Sequence, residues 1–148
     1  MKTFIIIVFL FFSTLLWGQN YTQKYNNLLD RTEFYDSYGR FVGYAKYNSL
    51  LSRLEYYDKY GNLLKTEKHN SLQNRTEIKD QYGNSQGYEK RNGLYNQSER
   101  YDSYGNMKYK KKWNDLYNRY DLYDSYGNMI GYYKWSELFE RWEFVSTK

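Results

Sequence analysis

The sequence has no cysteine, no proline and a single histidine, His69. Without cysteine there is no disulfide framework, no thiol nucleophile and no lipid anchor on Cys. One histidine leaves no set for His-based acid–base chemistry and none of the usual transition-metal sites. His69 occupies a position held elsewhere by Tyr, Arg or Trp and reads as filler at a turn. Only one long apolar run exists, Phe4 to Phe12, preceded by Lys2 and followed by smaller and more polar residues up to Gly18. That is the layout of a secretory leader, and it is short for a membrane span. The expected division is a leader at 1–19 and one domain at 20–148, secreted, periplasmic or on the cell surface, with no membrane span after processing. Charge of one sign is also scarce. The formal net charge is +5, or +4 without Lys2, spread along the chain. Nucleic acid is therefore not an expected specific partner.

What the sequence has in excess is tyrosine: 21 of 148 residues, within a 22% aromatic content. These residues follow a 22-residue unit, roughly [Y/W]-N-x-L-x-x-R-x-E-x-Y-D-x-Y-G-N-x-x-G-Y-x-K. Full copies start at Tyr25, Tyr47, His69, Arg91 and Trp113, and a partial copy starts at Trp135. A constant period means one supersecondary element per unit, stacked on its neighbours. Asp-x-Tyr-Gly recurs from Asp36, Asp58, Asp80, Asp102 and Asp124. Asp first and Gly fourth is a type I turn signature, with Gly at φ > 0 closing a three-residue hairpin loop. The fold class expected is all-β: hairpin repeats stacked as an open twisted meander or solenoid. The alternative is a closed ring or barrel in which the first and last strands pair.

The register read from the fifth copy places Leu122 opposite Ile130 and Tyr120 opposite Tyr132 on the buried face. By the same reading Phe34, Val42, Tyr44, Leu54, Tyr56, Leu64, Thr66, Ile78, Tyr88, Trp142 and Phe144 face inward. Arg-x-Glu elements such as Arg53/Glu55 then form ladders of alternating sign on the other face, between repeats. Between units, Asn-x-Leu-x-x-Arg is a second turn, capped by its Asn side chain. Its Leu (Leu28, Leu50, Leu72, Leu94, Leu116, Leu138) is expected to tuck under the stack. Copy four places Ser98, Arg100, Lys108 and Lys110 at inner positions. Either that hairpin is wet on both sides, or its register slips by one.

Tyr38, Tyr60, Tyr82, Tyr104 and Tyr126 occupy the turn tips. Each either packs on the next turn, which a stack lacking a two-sided core favours, or stands free as a platform for a sugar face or a protein. Lys108, Lys110, Lys111 and Lys112 form the one concentrated basic patch. It reads as a solvated strand end or as a site for polyanions. The row of turn Asp and Asn residues offers oxygen ligands for calcium, but turn geometry already explains both residue types. No cofactor is implied, no catalytic residue is singled out, and the chain reads as non-enzymatic.

Tyr35-Asp36-Ser37-Tyr38-Gly39-Arg40-Phe41 and Tyr57-Asp58-Lys59-Tyr60-Gly61-Asn62-Leu63 resemble the YD repeat of Rhs-type and teneurin-type proteins. The block recurs at Tyr101 and Tyr123, whereas the third copy has Lys79 in place of the first Tyr. The turn motif is also similar to MORN-like hairpin repeats. The resemblance implies stacked β-hairpins in secreted or surface proteins, without a toxin or protease segment. The expected role is an exported structural or protein-interaction surface. The alternative is a carbohydrate- or cell-wall-binding module using exposed Tyr and Trp.

Overall fold

A computed structural model describes residues 22–138 and 141–147 of the chain. The leader expected at 1–19 lies outside them. Twelve antiparallel strands follow one another in a single meander: β1 Thr22–Asn26, β2 Arg31–Tyr35, β3 Phe41–Asn48, β4 Arg53–Asp58, β5 Leu63–Asn70 and β6 Arg75–Asp80. They continue with β7 Ser85–Asn92, β8 Gln97–Tyr101, β9 Met107–Asn114, β10 Arg119–Asp124, β11 Met129–Ser136 and β12 Arg141–Ser146. The sheet curls until β1 and β12 lie side by side, but no hydrogen-bonded ladder joins them. The result is a barrel with an unsealed seam, so the open meander expected from the sequence holds for the hydrogen bonding.

Both turns form as their residues dictate. In the Asp-x-Tyr-Gly turn, the Gly61 amide donates to the Asp58 carbonyl at 3.1 Å, and the Asp58 amide donates to the Asn62 carbonyl at 3.0 Å. Gly61 has φ +87°, which a side chain would strain. In the other turn the Asn48 carboxamide oxygen accepts the Leu51 amide at 3.1 Å, the expected cap. The last turn residue takes φ of 46–50° at Asp30, Ser52, Asn74, Asn96 and Asn118. Four of these five are Asn or Asp, which tolerate the left-handed region best.

The register differs from expectation in strand B. Tyr123 pairs with Met129, as the turn demands, but Leu122 then pairs with Gly131 and Tyr120 with Tyr133. Ile130 is an extra, bulged residue, and the same shift occurs after Phe34, Tyr56, Ile78 and Arg100. A bulge of one residue inverts every side chain beyond it. Tyr44, Thr66, Tyr88 and Tyr132 therefore go to the outer wall, and Ala45, Glu67, Glu89 and Tyr133 go inside. The bulge also sharpens the strand bend that closing a sheet requires.

The inner wall is apolar near the first strands. Phe34, Ala45 and Tyr56 are buried together, with Val42 and Leu54 packed against them, and the Phe34 and Tyr56 rings stack at 6.4 Å. Ile78 and Leu122 are buried farther round. On the outer wall each repeat holds its acid in a small donor cage. Glu55 takes Arg53 Nε at 2.7 Å, the Tyr57 hydroxyl at 2.6 Å and Asn48 Nδ2 at 3.2 Å. Glu33 is held likewise by Arg31, Tyr35 and Asn26. These ion pairs lie within one strand, two residues apart, and do not form ladders between repeats. Neighbouring side chains cover them, and Glu33, Glu55 and Asp121 are buried.

Candidate functional site: two rims and a polar lumen

A twelve-strand meander with only two turn types sends each type to one end. The five Asp-x-Tyr-Gly turns share one rim, and the five Asn-x-Leu turns share the other with Ser136-Glu137-Leu138. On the first rim Tyr38, Tyr60, Tyr82, Tyr104 and Tyr126 are 77–90% exposed. They do not pack on the next turn. Arg40 lies 5.2 Å from the Tyr38 ring and Lys59 lies 4.9 Å from the Tyr60 ring. The turn is rigid without the rings, because the Asp carboxylate holds it. Asp58 Oδ1 accepts the Tyr60 and Asn62 amides at 2.8 Å, and Oδ2 accepts Asn62 Nδ2 at 2.8 Å. The Asn62 side chain and those amides outweigh the opposing effect of burial and hold the Asp58 carboxyl below its usual range. Asp102, with its Asn106 amide contact and Lys108 beside it, is brought down to about 2. These carboxylates are engaged by their own turns, so calcium ligation has little left to use. Among the described residues no group of three or more His, Cys, Asp or Glu is placed to hold a metal ion.

On the second rim Leu28, Leu50, Leu72, Leu94, Leu116 and Leu138 are 80–97% exposed. They do not tuck under the stack. The turn has four residues, Asn27–Asp30 in the first instance, and its second residue is the apex. A side chain there has no neighbour within the barrel wall. Tyr25, Tyr47 and Trp135 stand just below, exposed at the mouth of the lumen.

The lumen joins residues the sequence keeps apart. Glu67 on β5 and Glu89 on β7 act electrostatically on Tyr56 of β4 and on Tyr109 and Lys111 of β9. Such reach across the sheet requires a shared interior. Copy four keeps its register, with Ser98 opposite Lys111 and Arg100 opposite Tyr109. It is neither wet on both sides nor slipped: its polar inner residues face a polar stretch of the lumen. Burial raises the Tyr56 hydroxyl, with Glu67 adding to the effect. Lys65 Nζ lies 4.1 Å from the Tyr56 ring and 2.8 Å from Glu67. Toward β12 the wall becomes aromatic. Trp113 and Tyr120 are 4.7 Å apart, Tyr120 and Trp142 5.4 Å, and Trp135 and Trp142 5.7 Å.

The basic patch of the sequence is thereby divided. Lys110 is on the outer wall, 5.5 Å from the Tyr123 ring, while Lys108 is the bulge residue at the Asp-x-Tyr-Gly rim, 3.2 Å from Asp102. Lys112 is exposed on the same wall. Lys111 points into the lumen, opposite Leu122 and 5.4 Å from the Tyr120 ring. Burial pulls its pKa down to about 8, and Arg91 adds to this while Glu89 and Glu67 oppose it. A single polyanion site over all four lysines is ruled out by the alternation of the strand.

A set of residues to which the sequence reading gave no role emerges on the outer wall. Lys24, Lys46, Lys68, Lys90, Lys112 and Lys134 end every repeat, and all six are exposed just inside the Leu rim. Their perfect 22-residue period was the available signal. Only the closed wall shows that it makes a belt.

No family model matches the chain, and no curated protein matches it. A solved X-ray structure of a protein from Arabidopsis thaliana is similar in fold, with a TM-score of 0.62. That match has 11% sequence identity, covers 86% of this chain and 79% of the other, and supports the architecture alone.

Proposed function

We propose that this chain is an exported, non-enzymatic repeat protein whose barrel displays a recognition surface for a protein or glycan at the cell surface. The observation that carries the reading is the Tyr rim. Five rings stand out from turns already fixed by Asp, so stability does not account for them. Exposed aromatics in a row bring contact area at low entropic cost, and their faces suit sugar rings or apolar protein patches. The acids support a non-catalytic role, since the outer-wall and turn carboxylates described above serve structural hydrogen bonds. The resemblance to YD and MORN-like hairpin repeats is consistent with export.

The test is a glycan array probed with labelled protein, alongside Tyr60→Ala/Tyr82→Ala/Tyr104→Ala. Stacking contacts of about 0.5–1.5 kcal/mol each predict a loss of roughly tenfold or more for three rings. Binding to glycans that survives the triple substitution would refute stacking by this rim. An array with no bound glycan would favour the protein-recognition form of the reading.

A further inference from the structure

We infer that the Leu rim docks the barrel, end-on, onto an anionic lipid bilayer. Six Leu side chains, almost wholly exposed, crown one end of the barrel. Successive crown residues are separated by two strands, or about 10 Å around the rim. They form a ring of separate prongs and not a groove, so a partner must be broad and flat to meet them together. Leu29, Leu51, Tyr95 and Tyr117 follow the apex residues and are 43–63% exposed, thickening the crown. Tyr and Trp at the mouth below suit the boundary between headgroups and acyl chains.

Charge favours lipid over an apolar protein face. The six-lysine belt sits two residues before the Asn cap of each of the first five Leu turns, and two before Ser136 in the last, behind the crown. Among the described residues none of these lysines makes an ion pair. The carboxylates opposite are already neutralised by Arg in four repeats: Arg31–Glu33, Arg53–Glu55, Arg75–Glu77 and Arg119–Asp121. In those four repeats the belt charge is thus uncompensated, whereas Lys90 faces Glu99, which has no Arg partner; the belt as a whole lies where lipid phosphates would be if the crown entered the interface. The crown has acids of its own: Asp30 accepts the Tyr25 hydroxyl and Asp115 accepts Trp113 Nε1 at 2.8 Å, but neutral donors leave the charge in place, so these two and Glu137 are a local cost that the six lysines outnumber. The opposite rim bears the turn Asp row and no such belt, so only one end fits a bilayer.

The absence of cysteine permits a direct test in the full-length chain. An environment-sensitive dye is attached at Leu50→Cys or Leu94→Cys on the crown, or at Tyr60→Cys or Tyr104→Cys on the other rim. With mixed phosphatidylcholine–phosphatidylglycerol vesicles, the crown probes should shift to shorter wavelength and the Tyr-rim probes should not. Lys46→Glu/Lys68→Glu/Lys90→Glu should weaken the crown signal about a hundredfold in lipid concentration, as three surface lysines predict. High salt should weaken it too. An equal response at both rims, no response at the crown, or a response unchanged by the lysine substitutions would overturn the inference. Circular dichroism confirms folding of each variant. The Tyr-rim test above reads the opposite end, so either reading can fail alone.

Discussion

Replacing Lys111 with Met should stabilise the protein at neutral pH. Lys111 lies in the lumen beside Tyr120 and opposite Leu122, and burial lowers its pKa from 10.5 to about 8. At pH 7 it is charged in both the folded and the unfolded chain, so folding bears the full cost of burying an ammonium. At 1.36 kcal/mol per pKa unit that cost is about 3 kcal/mol. The cation–π contact with Tyr120 offsets about 0.5–2 kcal/mol of it. Lys111→Met keeps the length of the side chain and removes the charge, for an expected net gain of about 1–3 kcal/mol. The pH dependence gives a second signature. Between pH 8 and 10.5 the unfolded chain holds more protons at this site than the folded one, so wild-type stability should rise with pH there. The variant should lack that rise. Urea denaturation followed by far-ultraviolet circular dichroism at pH 7, 8, 9 and 10 measures both. A variant less stable than wild type at pH 7, with the pH slope retained, would refute placement of this lysine in a low-dielectric interior.

Above pH 10 the trend should reverse, because hydrogen bonds to Glu55 and Glu99, with burial, raise Tyr57 and Tyr101 to about 12. A raised folded pKa gives stability that is present below 10 and is lost as pH climbs toward 12, which alkaline denaturation monitored by tyrosinate absorbance would show. Gly87→Ala should cost at least about 3 kcal/mol, since φ is +101° and a Cβ would sit 2.0 Å from the Tyr101 carbonyl oxygen in the neighbouring strand. Gly61→Ala, with φ +87° and open space around it, should cost only about 1–2 kcal/mol; equal denaturation midpoints for the two would count against the bulge geometry. Asp58→Ala removes three hydrogen bonds from one turn and should cost about 1–2 kcal/mol, by analogy with a lost helix cap.

The 22-residue period, the two turns and the order of the strands were legible in the residues, because turn chemistry is local. In forming the turns, Asp58, Gly61 and Asn48 each act on atoms within four residues, so that role needed no knowledge of the rest of the chain. The faces of strand B were not legible. The bulge residues Val42, Leu64, Gln86, Lys108 and Ile130 share no side-chain type, and one extra residue is decided by how far the sheet must bend. The exposed Tyr and Leu rims were legible as rows but not as rims. Whether an apex side chain finds a neighbour depends on where the next turn lies.

The linear chain therefore determined, through short-range backbone preferences and an unbroken repeat, that it would zigzag as hairpins. The tertiary structure alone decided which side chains share an interior, that Lys111 leaves its basic neighbours for the lumen, and that six scattered lysines form one belt. Closure is a sum of small twists over twelve strands, and no single repeat contains it.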